Sequence, residues 1–262
     1  MKNRRYKGIL ADLDGTVNRG TSLIQGADIT YRNLSAKGFR WIFASNSATR
    51  LSSDLAAKIT GLGLAVTDQQ VINSASALID TIQRDYPGAN VMVVGEPRLV
   101  QGVEKAGAVV TEDPQTANIV AVAMDTGFSY NKLKKAHQAI RNGAMFWATN
   151  LDATFPTENG FLPGAGSIVA SIATSAGRQP DRVFGKPSPD MAVLALKLLN
   201  ISAQSCLVVG DRMDTDILFA RNAGMDSALV LTGATSRDDL GRYSYSPDYV
   251  FESIVDIIEL FD

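Results

Sequence analysis

One cysteine and one histidine are all that this chain of 262 residues offers of thiol and imidazole, and each scarcity excludes a class of chemistry. Cys206 by itself makes no disulfide and no thiolate metal cluster. His137 by itself would have to carry any Ser-His-Asp hydrolysis, any histidine-ligated zinc and most histidine general-base schemes. It falls in a helical stretch, Tyr130 to Arg141, whose Leu133, Ala136 and Ile140 share a face, so it reads as a structural histidine at or near the surface. Cys206 stands in an apolar run and reads as a small core residue. An excess of one charge is also missing: 25 Lys and Arg against 27 Asp and Glu give a net charge of −2. That balance leaves no electrostatic footprint for nucleic acid or an anionic membrane. No run approaches the ~18 apolar residues needed to span a bilayer. The basic start at Lys2, Arg4, Arg5 and Lys7 is followed by an apolar stretch that breaks at Asp12, too short for a secretory signal. These absences predict a cytoplasmic protein with neither nucleic-acid nor membrane partners.

What the chain does have is a strand that runs into acid. Gly8 to Thr16 reads as an apolar strand, then Asp12 and Asp14, then a glycine turn. The C-terminal end of a buried parallel strand is where an open α/β sheet presents groups to a ligand. Two carboxylates about 4 Å apart repel by roughly 4 kcal/mol at an effective dielectric of 20. Such a pair implies a shared proton or a cation, and a hard, oxygen-loving ion such as magnesium fits carboxylates. An ordinary Asx turn at Asp14-Gly15 would give the same local pattern, so the rest of the chain decides.

Three more strand ends follow. Phe39 to Ala44 stops at Ser45-Asn46-Ser47. Gly185-Lys186-Pro187-Ser188-Pro189 sets one lysine before a helix. Cys206 to Val209 discharges into Gly210-Asp211-Arg212-Met213-Asp214-Thr215-Asp216. More than half of the chain separates Ser45 from Lys186, room enough for a further domain.

The alternation supports an α/β chain. Strands are predicted at Gly8–Asp12, Arg40–Ala44 and Val71–Ile72, with helices at 27–37, 52–62 and 74–84. After the break at Pro87-Gly88 come strands at 90–94, 108–110, 119–123 and 145–148, and helices at 97–106, 130–141 and 165–175. Helices at 190–199, 215–222 and 253–261 and strands at 206–209, 228–231 and 249–250 close the pattern. The expectation is a doubly wound parallel sheet of Rossmann type, built from residues 1–77 and 180–262, with an α/β insertion over 78–179. Such an insertion acts as a lid that excludes water and contacts substrate, or else stabilises a homodimer.

These motifs resemble the haloacid dehalogenase superfamily of aspartyl-phosphate hydrolases. Asp12-x-Asp14 matches its first motif, Ser45 its second, Lys186 its third, and Gly210-Asp211 with Asp216 its fourth. Ser45-Asn46, Ala148-Thr149-Asn150 with Asp152, and Gly185-Lys186-Pro187-Ser188-Pro189 look like its NagD-type, para-nitrophenylphosphatase-like branch. Asn18 and Ser47 depart from that branch, which often carries an aromatic or bulky apolar residue and a second asparagine there. The resemblance implies a magnesium-dependent phosphatase of small phosphomonoesters: sugar phosphates, phosphoglycolate, nucleoside monophosphates, pyridoxal phosphate or aryl phosphates. It implies Asp12 as nucleophile and Asp14 as general acid, then base. Metal binding would come from the Asp12 carboxylate, the Asp14 carbonyl and Asp211, with Asp216 behind them orienting Lys186 or a metal-bound water. Ser45, Asn46 and Lys186 would hold phosphoryl oxygens, with Asn150 and Asp152 facing the substrate from the insertion. Arg50 and Arg212 stand as further anchors or as solvated surface arginines, Asp214 as a metal ligand or a helix-start charge, and Pro163 to Ser167 as a source of backbone amides. A phosphomutase or phosphotransferase, or a phosphorylation-switched binding module, remains as an alternative class.

Overall fold

The computed structural model describes residues 6–48, 52–157 and 160–261. The chain forms two compact units, Met1–Ser45 with Ser52–Ile72 and Lys186–Asp262 in one, and Asn46–Leu51 with Asn73–Gly185 in the other.

The first unit is built on a six-stranded sheet ordered Tyr249–Phe251, Asp226–Val230, Cys206–Gly210, Gly8–Asp12, Arg40–Ser45, Val71–Asn73. Gly8–Asp12 pairs in parallel with Cys206–Gly210 on one side and Arg40–Ser45 on the other. Its residues are apolar on both faces because both are covered: Ile9, Leu10 and Ala11 are all buried. From this central strand the chain winds one way through Arg40–Ser45 and Val71–Asn73, then returns to the other side for the last three strands. The strand order therefore reverses between Gly8–Asp12 and Cys206–Gly210, and the crevice at their C-terminal ends is the ligand position of such sheets. Asp12 closes one of these strands, and Asp211 follows the other.

The second unit repeats the logic around its own core of Val120, Val122, Ala136, Ile140, Phe146 and Ile172. Its five strands are ordered Arg182–Val183, Met145–Ala148, Ile119–Val122, Asn90–Val94, Val109–Val110, and every pairing is parallel. Here the order reverses between Asn90–Val94 and Ile119–Val122.

Most predicted elements stand within a residue or two of their expected ends, and the exceptions have local causes. The helix expected over 215–222 begins as a wide π turn, Met213–Ile217, and becomes α-helical only at Leu218–Asn222. The extra residue in that turn accompanies the Asp216 carboxylate folding back to accept from the Arg212 amide at 3.1 Å. The closing helix is a 3₁₀ helix, Ile254–Leu260. Its buried Ile254 and Ile257 lie three residues apart, the repeat of that helix. Two hairpins escape the alternation pattern, Asn18–Arg19 with Ser22–Leu23 and Thr154–Thr157 with Gly160–Pro163. The first is too short for any periodicity and the second contains two prolines, which argue against strand in a sequence.

No helix among the described residues is long and apolar enough to cross a membrane. Cys206 is fully buried, and burial pushes its thiol up to about 12.

Candidate active site

At the reversal of the six-stranded sheet, Asp12, Asp211 and Asp216 bring carboxylate oxygens within 4.8 Å of one another. Lys186 enters this cluster from the loop before the Asp190–Leu199 helix. Its Nζ donates to Asp12 Oδ1 at 2.5 Å, to Asp216 Oδ1 at 2.6 Å and to the Ala44 carbonyl at 3.2 Å. The third of these bonds ties the lysine to the strand that delivers Ser45, which is itself buried. Register places Asp12 opposite Ala44, so Ser45 lies one residue further along at the same sheet edge.

The electrostatics follow from burial. Burial raises the Asp12 carboxyl well above the usual range, Lys186 works against that, and Asp216 and Asp211 reinforce it. Asp211 is pushed up to about 6, again by burial first and by Asp216 second. Burial alone would lower the Lys186 ammonium, yet Asp12 and Asp216 hold it above its ordinary value. Among the described residues, Lys186 is the one cation bonded into this cluster of three acids.

The donors around Asp211 come from a loop that carries no sequence signature. The Ala234 amide donates to Asp211 Oδ2 at 2.6 Å, and the Thr235 amide to the Asp211 carbonyl at 3.1 Å. Asp211 Oδ1 is buried and accepts no hydrogen bond. A buried carboxylate oxygen without a donor, on a residue clustered with two further carboxylates, suits a hard cation, and the all-oxygen set fits Mg²⁺. Glycines press in on the same side chain: a Cβ on Gly233 would sit 1.9 Å from Asp211 Oδ2, and one on Gly15, whose φ is +97°, would sit 2.4 Å from it. Gly233→Ala is expected to push Asp211 off the loop and cost about 1–3 kcal/mol by overpacking. Gly241→Ala, with nothing within 4 Å, should stay within about 0.5 kcal/mol. Chemical denaturation of both variants checks this, and equal midpoints would contradict it.

The raised carboxyls set a pH dependence. A folded-state acid with an elevated pKa binds protons that the unfolded chain, with carboxylates near 4, does not. Stability of the metal-free protein should therefore rise as pH falls from 7.5 to 5.5. Acids held low by partners, such as Asp85, Glu96 and Asp214, lose their contribution only below the ordinary carboxylate range. Thermal unfolding in chelator, in a His137→Asn background that keeps the imidazole out of the reading, checks the sign. A midpoint that falls steadily across the same interval would contradict it.

Asp14 stands apart from the cluster. Its side chain is largely exposed, its Oδ1 accepts from Asn18 Nδ2 at 2.7 Å, and Lys58 Nζ approaches to 3.6 Å. Asn18 is buried and bridges to the Gly20 carbonyl as well, so the residue that departs from the family pattern is the one that steadies Asp14. Spacing alone pointed to neither Asn18 nor Lys58.

Asn46, Asn150 and Asp152 meet one another within the second unit. Asn46 Nδ2 donates to Asp152 Oδ2 at 3.2 Å, Asn150 Nδ2 to the Asn46 carbonyl at 2.8 Å, and the Asp152 amide to Asn150 Oδ1 at 3.1 Å. Of the backbone amides from Pro163 to Ser167, Gly164 donates to Ala153, Gly166 to Asp152 and Ser167 to Gly164, all inside that unit. Arg212 pairs with Asp214 at 2.9 Å, outside the carboxylate cluster. His137 uses Nδ1 on the Ser175 carbonyl. Arg50 lies outside the described residues.

Residues 9–109 match a family model described as haloacid dehalogenase-like hydrolase, and residues 183–257 match a second, HAD-hydrolase-like model. The chain is 34% identical over 255 residues to an acid sugar phosphatase of Staphylococcus aureus (strain MRSA252), covering 97% of this chain and 98% of that protein. Its structure is similar to a 4-nitrophenylphosphatase from Thermotoga maritima, with TM-score 0.91 and 31% identity over 98% of this chain and 97% of that one. It is also similar to a glycerol phosphate phosphatase from Mycobacterium tuberculosis solved in complex with magnesium. There the TM-score is 0.87 and the identity 35%, over 95% of this chain and 75% of that one.

Proposed function

Since the chain belongs to the haloacid dehalogenase-like hydrolases, with a parallel α/β core and an inserted α/β cap, we propose that it is a magnesium-dependent phosphatase of small phosphomonoesters working through a phosphoryl group carried on Asp12. The observation that carries the reading is the three-carboxylate cluster at the sheet reversal, two of whose members, Asp12 and Asp216, are bonded by Lys186.

Asp12 attacks phosphorus, a bond forms to its carboxylate oxygen, and the bond from phosphorus to the leaving oxygen breaks. Asp14, exposed and held by Asn18, gives its proton to that oxygen. It then takes a proton from the water that attacks phosphorus, and Asp12 leaves as a free carboxylate. Splitting one displacement into two lets the same acid serve both halves. Ser45 and Lys186 hold the phosphoryl oxygens, one by hydroxyl and one by charge. Asp216 keeps Lys186 charged and aimed. Asp12 and Asp211 with the Asp14 carbonyl would hold the magnesium, and Asp216 borders that set. When bound, the ion supplies positive charge against the phosphoryl oxygens and balances the excess of acid. Asn46, Asn150 and Asp152 serve substrate choice from the cap.

Inorganic phosphate release over a panel of sugar phosphates, glycerol phosphate, nucleoside monophosphates and 4-nitrophenyl phosphate tests the reading. Turnover is expected with magnesium and is expected to vanish in excess chelator, and Asn150→Ala should reorder the panel more than it lowers 4-nitrophenyl phosphate hydrolysis. Full turnover in chelator would overturn the metal dependence, and a silent panel would overturn the activity.

A further inference from the structure

The second unit has a reversal of its own, and it is hollow. A cavity of about 710 Å³ opens at the C-terminal ends of Asn90–Val94 and Ile119–Val122, the pair of strands between which the order of this five-stranded sheet reverses. Open parallel sheets bind ligands at that position, and the volume is that of a small-molecule site. None of its lining residues belongs to the carboxylate cluster or to the Asn46, Asn150 and Asp152 group.

The local order is strand, Gly95, helix Pro97–Lys105, strand Val109–Val110, then Glu112. In dinucleotide-binding folds a glycine turn of this kind leads into a helix, and an acid roughly 20 residues on takes the ribose hydroxyl. Gly95 is constrained as such a turn requires: a Cβ there would meet Leu99 Cδ2 at 3.0 Å and Ala123 Cβ at 3.4 Å, so the bare backbone lets helix and sheet close up. The phosphate half of the pattern is missing. No further glycine precedes Gly102, and the residue at the helix start is Glu96, an acid where phosphate would need bare amides.

The charges agree. Three carboxylates and two lysines line the cavity. Lys132 is bound to the buried Asp125 at 2.6 Å, and Lys135 to Glu112 at 2.6 Å. Both cations are thereby committed, and an incoming phosphate would meet surplus acid. What is offered instead is an apolar wall from Met92, Val94, Val100 and Val110, with carboxylate acceptors at the rim. Lys135 holds the Glu112 carboxyl low and the Thr126 amide and hydroxyl hold Glu96 low, so both are carboxylates that accept hydrogen bonds from hydroxyl groups.

We propose that this cavity is a binding site for a nucleoside: a flat heteroaromatic ring against the apolar wall, a ribose diol on Glu112, and no phosphate. A ligand of this kind carries no phosphoryl group for the Asp12 site to act on, so the cavity is a second site and the proposal stands independently of the phosphatase reading.

Calorimetric titration of the full-length protein with adenosine, 2′-deoxyadenosine and ribose tests it. Adenosine is expected to bind. Losing one hydroxyl to a charged acceptor should weaken 2′-deoxyadenosine by about tenfold or more, and ribose without the ring should give no measurable binding. Glu112→Gln should bring adenosine and 2′-deoxyadenosine to equal affinity. Its side chain is 87% exposed, so fold and 4-nitrophenyl phosphate turnover should be unchanged. The proposal is overturned by absence of adenosine binding at millimolar concentration, by equal affinities in the unaltered protein, by a preference that survives Glu112→Gln, or by ribose binding as tightly as adenosine.

Discussion

Asp12→Asn is expected to abolish phosphate release, a loss of roughly 10⁴-fold or more in kcat, while the protein folds and its metal-free form unfolds no earlier than the unaltered one. The two halves of this outcome come from one cause. Asp12 closes the central strand in a crevice where burial already opposes its ionised form, and two other carboxylates add to the opposition. An amide of the same shape removes a charge that the empty fold tolerates poorly, so stability does not suffer. It also removes the group that the proposed reaction bonds to phosphorus, so turnover does. Asp14→Asn, at an exposed side chain outside the cluster, should lose only ~10²- to 10⁴-fold, because it impairs proton transfer and leaves the nucleophile in place. Parallel kinetics and thermal melts separate the two. Substantial turnover in Asp12→Asn would remove that residue from the reaction.

Lys186→Met is expected to damage fold and function together. The side chain is buried, it bonds two carboxylates, and it is the only lysine bonded to this cluster among the described residues. Removing one partner of a buried ionic group strands the others, at a cost of about 3–5 kcal/mol. For a chain of this size that is a fall on the order of 10 °C in the unfolding midpoint. The loss should be larger at pH 8 than at pH 5.5, because at the lower pH protons on Asp211 and Asp12 replace the missing cation. Lys186→Arg should not restore activity, since a planar fork does not fill the place of a compact ammonium that reaches Asp12, Asp216 and the Ala44 carbonyl at once. Melts at two pH values in chelator measure the effect. A midpoint unchanged at pH 8 would show that the acids do not depend on this cation.

The contrast between these two variants shows which parts of the molecule a sequence exposes. An apolar run that ends in acid is a period change visible in the letters, so the strand ends at Asp12 and Asp211 were legible, as was the alternation that builds both parallel sheets. Lys186 was legible through the proline-rich turn that precedes its helix. The environment of Asp211 was not, because its donors are the backbone amides of Ala234 and Thr235, and every residue but proline has one. Asn18 was read as a departure from a pattern, and its hold on Asp14 depends on a four-residue turn that no periodicity announces. Asp216 was placed behind the metal set by analogy, orienting Lys186 or a metal-bound water; its carboxylate accepts from Lys186 at 2.6 Å and lies within 4.8 Å of those of Asp12 and Asp211, and the π turn at Met213–Ile217 that carries it has no signature in the letters. The 3₁₀ closing helix was hidden for a related reason: Ile254 and Ile257, three residues apart, fit both three and 3.6 residues per turn, and Phe261, which caps the helix, extends the 3.6 pattern in the letters.

The most direct measurement of the central claim is acid-quench trapping during turnover, followed by mass spectrometry of the peptide that spans Gly8 to Thr16. A phosphoryl group on Asp12 is predicted, scarce in the unaltered protein, accumulating in Asp14→Asn where hydrolysis of the intermediate is slowed, and lost from Asp12→Asn. Phosphate trapped on a different residue, or none trapped in Asp14→Asn while substrate is still cleaved, would contradict the account.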